Sequence, residues 1–242
     1  MKFHIYKDKE ELAERLAAWI CDLVATALKT KEYFTMVLSG GNTPKILFKK
    51  LVSDYSEKIN WKQVQIFWGD ERVVPFNDAR NNAKMAYELL LNHIDIPPSQ
   101  VHIMRTNTEP SAAAKEYENL LQKHFDKHTS SFDLVLLGMG DDGHTLSLFP
   151  GSPLVSQANH DWVESVYNEE QQMNRITLMP EIVNRAVNIA FMVDGSKKAA
   201  RLKEVLEGPF DPKQLPAQII KPLNGQLHWF LDKEAAKDLQ SV

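Results

Sequence analysis

The segment Phe132-Asp133-Leu134-Val135-Leu136-Leu137-Gly138-Met139-Gly140-Asp141-Asp142-Gly143-His144 begins as an almost unbroken apolar run and then turns to glycine and acid. A strand with one wet face alternates apolar and polar residues. This run does not, so both of its faces must be covered, as they are in a parallel sheet flanked by helices. Val187-Asn188-Ile189-Ala190-Phe191-Met192-Val193 has the same character. Outward from these two, shorter runs predict further strands at 3–6, 34–38, 64–68, 101–104 and 227–231. Helical periods fall between them. One has Leu12, Leu16, Trp19, Ile20, Leu23, Val24 and Ala27 on a single face, behind an Asp8/Glu11 capping box. Others start near Pro44 and cover 82–92, 110–128 and 196–206, and a short helix closes the chain. The alternation predicts an α/β fold: a mainly parallel sheet with helices on both faces, of the modified Rossmann kind.

The chain has 242 residues, 43% of them hydrophobic and 25% charged, an ordinary globular composition that is read as one domain over 1–242. Lys and Arg number 28 against 32 Asp and Glu, a net charge of −4. No nucleic-acid partner held by bulk positive charge is expected, and an anionic ligand would need cations gathered locally. Cys21, the sole cysteine, excludes an intrachain disulfide and a cysteine-built zinc site. Charges interrupt the first ten residues, and no apolar run approaches the roughly 18 residues a membrane helix needs. The expectation is a cytoplasmic protein without membrane contact. No linker, repeat or low-complexity block breaks the chain.

Binding sites in such sheets collect in the loops that follow the carboxyl ends of the strands. Three loops here carry chemistry. Ser39-Gly40-Gly41-Asn42-Thr43-Pro44 follows a strand and leads into a helix, with Thr43 placed as N-cap and Pro44 at the first helical position. It reads either as a plain strand-to-helix turn or as an anion cradle made of backbone N–H groups at a helix start. Gly69-Asp70-Glu71-Arg72 brings two carboxylates and a guanidinium to a strand end. A solvated charged turn is the simple reading; an Arg fork for a carboxylate or phosphate, held by an acid, is the functional one.

The third loop, from Gly138 to His144, contains G-x-G-x-x-G after a strand. A dinucleotide site is disfavoured: Asp141 and Asp142 lie where a pyrophosphate would approach, and Pro150-Gly151 stop any helix that follows. The alternative centres on His144, an imidazole flanked by carboxylates and suited to base catalysis near neutrality. A structural histidine packed on a turn is the plainer option. His124 and His128 are spaced to share a helix face, but zinc needs a third ligand, and they are expected to serve the negative end of that helix.

Together these loops resemble 6-phosphogluconolactonases of the type related to glucosamine-6-phosphate isomerase/deaminase. The resemblance rests on Leu38 through Pro44, Gly69 through Pro75, Phe132 through Pro150, Arg175-Ile176-Thr177-Leu178, Gly195-Ser196-Lys197-Lys198-Ala199 and His228-Trp229-Phe230-Leu231-Asp232. The deaminase branch places a Glu in an Asn-Glu-Pro context past the histidine, where this chain has Ser147-Leu148-Phe149-Pro150; it also favours Tyr where this chain has Arg72. Both departures point to the lactonase branch. A sugar-phosphate sensor on the same fold is the third alternative, although the first strand at Phe3 leaves no preceding reader domain in this chain.

The resemblance implies hydrolysis of 6-phospho-D-glucono-1,5-lactone to 6-phosphogluconate, a step of the oxidative pentose phosphate pathway, with no metal or cofactor. It implies a small-molecule partner and a monomer or weak homodimer. His144 would be the general base, Asp70 would orient or support it, and Asp142 would hold the loop. Arg72 would bind the anionic or hydroxyl end of the substrate. Arg175 and Lys198 would grip the phosphate with the backbone of Ser39, Gly40, Gly41, Asn42 and Thr43. One stretch departs from the family pattern: Asn168-Glu169-Glu170-Gln171-Gln172-Met173-Asn174 stands where a Pro-Lys-Pro-Pro-like segment is usual.

Overall fold

A computed structural model describes residues 1–125, 130–156 and 161–240. In chain order the elements are β1 (Lys2–Tyr6), α1 (Lys9–Ala27), β2 (Phe34–Leu38), α2 (Asn42–Tyr55), β3 (Val64–Trp68), β4 (Asp70–Arg72), α3 (Asn82–Leu89), α4 (Pro110–Phe125), β5 (Leu134–Gly138), α5 (Pro153–Ser156), β6 (Val163–Asn168), β7 (Met173–Leu178), α6 (Pro180–Val183), β8 (Asn188–Val193), α7 (Ala199–Glu207), β9 (Gln226–Asp232) and α8 (Lys233–Ala236). Six strands form a parallel sheet in the order β1-β9-β8-β5-β2-β3, with helices packed around it. The central runs are buried on both faces: Leu134 to Leu137 and Ile189 to Phe191 are fully covered. Trp229 stacks flat on Phe191 across the β8–β9 pair at 4.0 Å, and both it and Trp68 are core residues.

Helix α1 starts where Asp8 accepts the N–H of Glu11 at 2.9 Å, while the Glu11 carboxylate reaches back past the cap to the N–H of Lys7. Its Leu12, Leu16, Ile20 and Val24 face the core, as their spacing predicts.

Several elements differ from the sequence expectation. Residues 101–104 form no strand; Val101 makes a single bridge to Ile66 as the chain passes the exposed edge of β3. Helix α2 begins at Asn42 with Gly41 as its N-cap, and the Thr43 hydroxyl donates instead to Asp194. The 82–92 segment is α-helical only to Leu89 and then tightens into a 3₁₀ turn. A second, antiparallel sheet, β4-β7-β6, was not expected. Its strands are short or rich in polar residues, so they lack the apolar run by which the parallel strands announce themselves.

His124, in the last turn of α4, packs on Phe67 and His102, and burial lowers its pKa, which disfavours the charged form expected at a helix end. His128 lies outside the described residues. No helix among the described residues is long and apolar enough to cross a membrane.

Candidate active site

Strand order decides where a ligand can enter. From β2 the sheet is built toward β3 on one side and toward β5, β8 and β9 on the other, so the winding reverses between β2 and β5. Loops leaving two such strands diverge and open a crevice at their carboxyl ends. A cavity of about 650 Å³ lies there, walled by the loops after β2, β5 and β8, by Asp70, Arg72 and Arg175 of the small sheet, and by Gln171 from the turn between β6 and β7. Ser39, Gly40, Gly41, Asn42, Thr43, Asp70, Arg72, His144, Arg175 and Lys198 all line it. Asp142 stands behind His144 and faces a neighbouring cleft. A further cleft of about 440 Å³, near Phe210 and Trp229, has Lys221 as its one charged wall residue and no imidazole or carboxylate.

The glycine-rich loop after β5 folds back on itself. The N–H of Gly140 donates to the His144 carbonyl at 2.8 Å, and Gly143 takes a left-handed φ of +86°. A Cβ at Gly140 would lie 2.0 Å from His144 Nδ1 and 2.5 Å from Asp142 Oδ1. The space a pyrophosphate would need is thus filled by the loop's own imidazole and carboxylate. The dinucleotide reading does not fit. Among the described residues, no three of His, Cys, Asp and Glu gather so that they could hold a metal ion.

Asp142 Oδ1 accepts the His144 backbone N–H at 3.0 Å and meets Nδ1 of the ring at 2.6 Å. Burial pushes the Asp142 carboxyl up, but its hydrogen bonds to His144 and the attraction of that ring outweigh this and hold it at about 2. An ionised carboxylate can only accept, so Nδ1 carries the proton and the Nε2 lone pair is free. The ring is backed by Phe149 at 4.8 Å, and the same Phe149 lies under the Arg175 guanidinium at 5.8 Å.

Asp70, expected beside the histidine, has other partners. It accepts from Ser147 Oγ at 2.7 Å and pairs with Arg175 Nη1 at 3.3 Å. The orienting acid of His144 is therefore Asp142, its neighbour in the loop. Ser147 reaches Asp70 because Leu146 adopts a left-handed φ of +56°, strained for a branched side chain. Leu146 in turn packs on Gly69, where a Cβ would come within 2.7 Å of it. Gly69 is the single residue between β3 and β4, and it carries the chain from the large sheet to the small one.

Glu71 is 1% exposed, far from a solvated turn residue. Its carboxylate accepts the backbone N–H groups of Arg72 (2.8 Å), Asn82 (2.7 Å) and Ala83 (2.8 Å), seating the start of α3 on β4. Burial raises its pKa to about 7, against the pull of those three donors. Asn82, so placed, donates Nδ2 to the Asp70 carbonyl at 2.9 Å and presses its amide against Gly40. It ties the Asp70 strand to the loop after β2.

Arg72 and Arg175 are cross-strand partners on β4 and β7. In each the Nε is buried and has no partner among the described residues. Arg175 is 3% exposed, with its other nitrogens on Asp70 and Gln171. Lys198, from the 3₁₀ turn after β8, pairs with Asp141 at 2.5 Å.

Glu71, Asn82, Ser147 and Gln171 are site residues that the sequence reading did not single out. Ser147 lay within the quoted His144 motif; Glu71 sat inside the charged triplet but was indistinguishable from a surface acid. Nothing local to Asn82 signals a role, since it acts through Asp70 and Gly40, and the turn that brings Gln171 to Arg175 four residues on has no signature in the sequence.

The fold and site define an α/β protein whose ligand cleft, at the strand-order reversal, holds a carboxylate-oriented imidazole among guanidinium and ammonium groups. Comparison with known proteins carries this further. The chain belongs to the family of glucosamine-6-phosphate isomerases/6-phosphogluconolactonases, whose model matches residues 7–229. It is 37% identical over 237 residues to the 6-phosphogluconolactonase of Synechocystis, covering 96% of each chain. It is 39% identical over 201 residues to that of Haemophilus influenzae, covering 83% of this chain and 85% of the other. Among solved structures, that of a devB protein superposes with a TM-score of 0.90 at 30% identity over 99% of both chains. The Thermotoga maritima 6-phosphogluconolactonase superposes with a TM-score of 0.83 at 27% identity, over 96% of this chain and 99% of that one. A monomeric glucosamine-6-phosphate deaminase shares the fold, with a TM-score of 0.84 at 22% identity.

Proposed function

We propose that this protein is a lactone hydrolase that opens 6-phospho-D-glucono-1,5-lactone to 6-phosphogluconate. The observation that carries the reading is His144: Nδ1 is fixed by Asp142 and Nε2 has no partner among the described residues, at a cavity walled by two guanidiniums and two lysines. Relatives named 6-phosphogluconolactonase over nearly the whole chain support it. In this reading Nε2 removes a proton from water as its oxygen bonds to the lactone carbonyl carbon. Charge moves onto the carbonyl oxygen, and donors aimed at it stabilise the tetrahedral intermediate. Arg175 suits that role better than a phosphate grip, because it shares Phe149 with the imidazole and has a buried Nε without a partner. The carbonyl re-forms, the ring C–O bond breaks, and the leaving oxygen takes the proton from the imidazolium. The phosphate then falls to Lys198, to Arg72 and to the backbone around Gly40 and Gly41, which line the same cavity.

His144→Ala tests the assignment in a pH-stat or dye assay of acid release, with spontaneous hydrolysis subtracted. The enzymatic rate should fall by roughly 10²–10⁴-fold. A rate within a few-fold of wild type removes His144 as the base. Ammonia released from glucosamine 6-phosphate would turn the reading to the deaminase. Binding of 6-phosphogluconate without any acceleration of lactone decay would turn it to the sensor.

A further inference from the structure

Gln171 is the one residue of the 168–174 stretch that reaches the main cavity, and it does so by a built turn. Strands β6 and β7 pair as far as Asn168 and Met173. Between them Asn168 Oδ1 accepts the Gln171 N–H at 2.7 Å, Gln172 takes a left-handed φ of +49°, and its amide donates to the Glu169 carbonyl at 2.7 Å. The turn therefore has a fixed shape, and it delivers the Gln171 side chain to the Arg175 guanidinium.

The chemistry of that contact assigns the amide without ambiguity. A guanidinium has donors and no acceptor, so the atom facing Arg175 Nη2 is the amide oxygen. The Nε2 end of Gln171 is left with two N–H donors, and among the described residues it donates to nothing in the protein. It belongs to a wall of the cavity, beside the Arg175–Asp70 pair and the ring of Phe149 that also backs His144. A hydrogen-bond donor at the imidazole end of a sugar site meets hydroxyl or ring oxygens, because the carbonyl region of a sugar lactone is ringed by them.

The geometry points to Gln171 as a substrate-binding residue that donates Nε2–H to a sugar oxygen near the reacting carbon while its Oε1 holds Arg175 in place. The assignment rests on the lactone-hydrolase reading of the cavity for the identity of the sugar, and on this chain's own turn for the residue. The contact involves an oxygen present in substrate, transition state and product alike. It therefore acts on binding more than on the chemical step.

The test pairs turnover with binding of the stable product. Gln171→Met keeps the length of the side chain and removes both hydrogen-bonding ends; Gln171→Glu keeps an acceptor for Arg175, removes the donor and adds a charge facing an anionic ligand. Arg175 keeps Asp70 and Phe149 when the Gln171 oxygen is lost, so removal of the sugar contact dominates: Gln171→Met should raise KM for 6-phosphogluconolactone by about 3- to 10-fold, with kcat within about threefold. The calorimetric Kd for 6-phosphogluconate should rise by the same factor. Gln171→Glu should exceed Gln171→Met in both, and thermal unfolding should stay at the wild-type temperature for both variants. Wild-type KM and Kd in Gln171→Met overturn the inference, as does a fall in kcat alone. If wild type binds 6-phosphogluconate but opens no lactone, the hydrolase reading fails, and a weakened Kd in Gln171→Met still upholds the contact. If wild type neither opens the lactone nor binds the product, both readings fall.

Discussion

Replacing Gly40 by alanine adds one methyl group, and the structure says where it goes. The new Cβ would stand 2.0 Å from Asn82 Oδ1, 2.4 Å from its Cγ and 2.6 Å from its Nδ2. Gly40 itself has no left-handed φ, so its backbone accepts alanine and the whole effect comes from this collision. Asn82 cannot easily retreat: it is 2% exposed, its N–H is held by Glu71 and its Nδ2 by the Asp70 carbonyl. Overpacking of this kind costs about 1–3 kcal/mol. Displacing the amide also leaves the Asp70 carbonyl without its donor, about 1–3 kcal/mol more. The sum, about 2–6 kcal/mol, lowers Tm by roughly 4–24 °C in a chain of this size. Turnover should fall as well, because the group pushed aside is the one that ties Asp70 to the loop after β2. A double-mutant cycle isolates the cause. In an Asn82→Ala background the amide is gone, and Gly40→Ala should then cost under about 0.5 kcal/mol, leaving a coupling of 2 kcal/mol or more, on the order expected for directly touching groups. Gly41→Ala serves as the control. Nothing lies within 4 Å of its Cβ, but its φ of +100° strains any side chain, so its cost should be the same in both backgrounds. Equal costs for Gly40→Ala with and without the Asn82 amide would refute the reasoning, whatever the absolute loss.

The remaining expectations concern the two ends of the substrate. Asp142→Asn keeps an acceptor for His144 but removes the charge that favours the imidazolium, converting a charged hydrogen bond into a neutral one; kcat should fall by about 5- to 30-fold, less than for His144→Ala, and an unchanged kcat would remove Asp142 as the orienting group. The same carboxyl lies at about 2 in the folded protein against 3.8 for its ordinary value, so its contribution to stability is present above roughly pH 4 and is lost as pH falls through 2. Its side chain is 42% exposed, which limits that contribution to about 1 kcal/mol; Asp142→Asn should flatten the acid limb of Tm against pH, and a limb of unaltered slope would contradict this. Lys198→Ala should raise KM and leave kcat nearly unchanged, since a phosphate grip is felt in ground and transition states alike; an unaltered KM in steady-state assays would remove Lys198 from the phosphate end.

The parallel sheet was legible because burial on both faces writes itself into composition: Leu134 to Leu137 and Ile189 to Val193 have no polar phase to confuse the reading. The crevice followed from it, since loops after buried parallel strands are where glycine and charge accumulate. What did not follow was the pairing of charges across the chain. Asp70 finds Arg175, 105 residues away, and Glu71 finds the start of α3; neither pairing has a local signature. The antiparallel sheet escaped notice for a related reason. Val163-Glu164-Ser165-Val166-Tyr167-Asn168 and Met173-Asn174-Arg175 are interrupted by polar side chains; Arg175 lines the main cavity and Val166 to Asn168 the neighbouring cleft. The orienting role is expected of Asp70 and loop-holding of Asp142, whereas Asp142 is the acid that meets Nδ1, because sequence proximity to an imidazole says nothing about which oxygen reaches it.

In the proposed reading, a chain of net charge −4 must hold an anion, a difficulty that the site resolves by pairing. Five carboxylates stand at or just behind the cleft, and each is engaged: Asp70 by Ser147 and Arg175, Glu71 by three backbone N–H groups, Asp142 by His144, Asp194 by the Thr43 hydroxyl, Asp141 by Lys198. Asp70 and Glu71 are buried, Asp142 is locked by two bonds to His144, and Asp194 is half-buried against Thr43. The fifth stands apart: the Asp141 side chain is 69% exposed, and an ion pair of that kind contributes at most about 1 kcal/mol. A phosphate dianion entering the cleft can therefore take Lys198 from Asp141 at little cost and return Asp141 to water. Asp141 and Asp142 are neighbours, yet that exchange leaves the base undisturbed, because the Gly140–His144 hydrogen bond and the two bonds to Asp142 hold the turn independently of Lys198. The loop thus separates capture of the anion from alignment of the imidazole within two adjacent residues, one free to let go and one fixed.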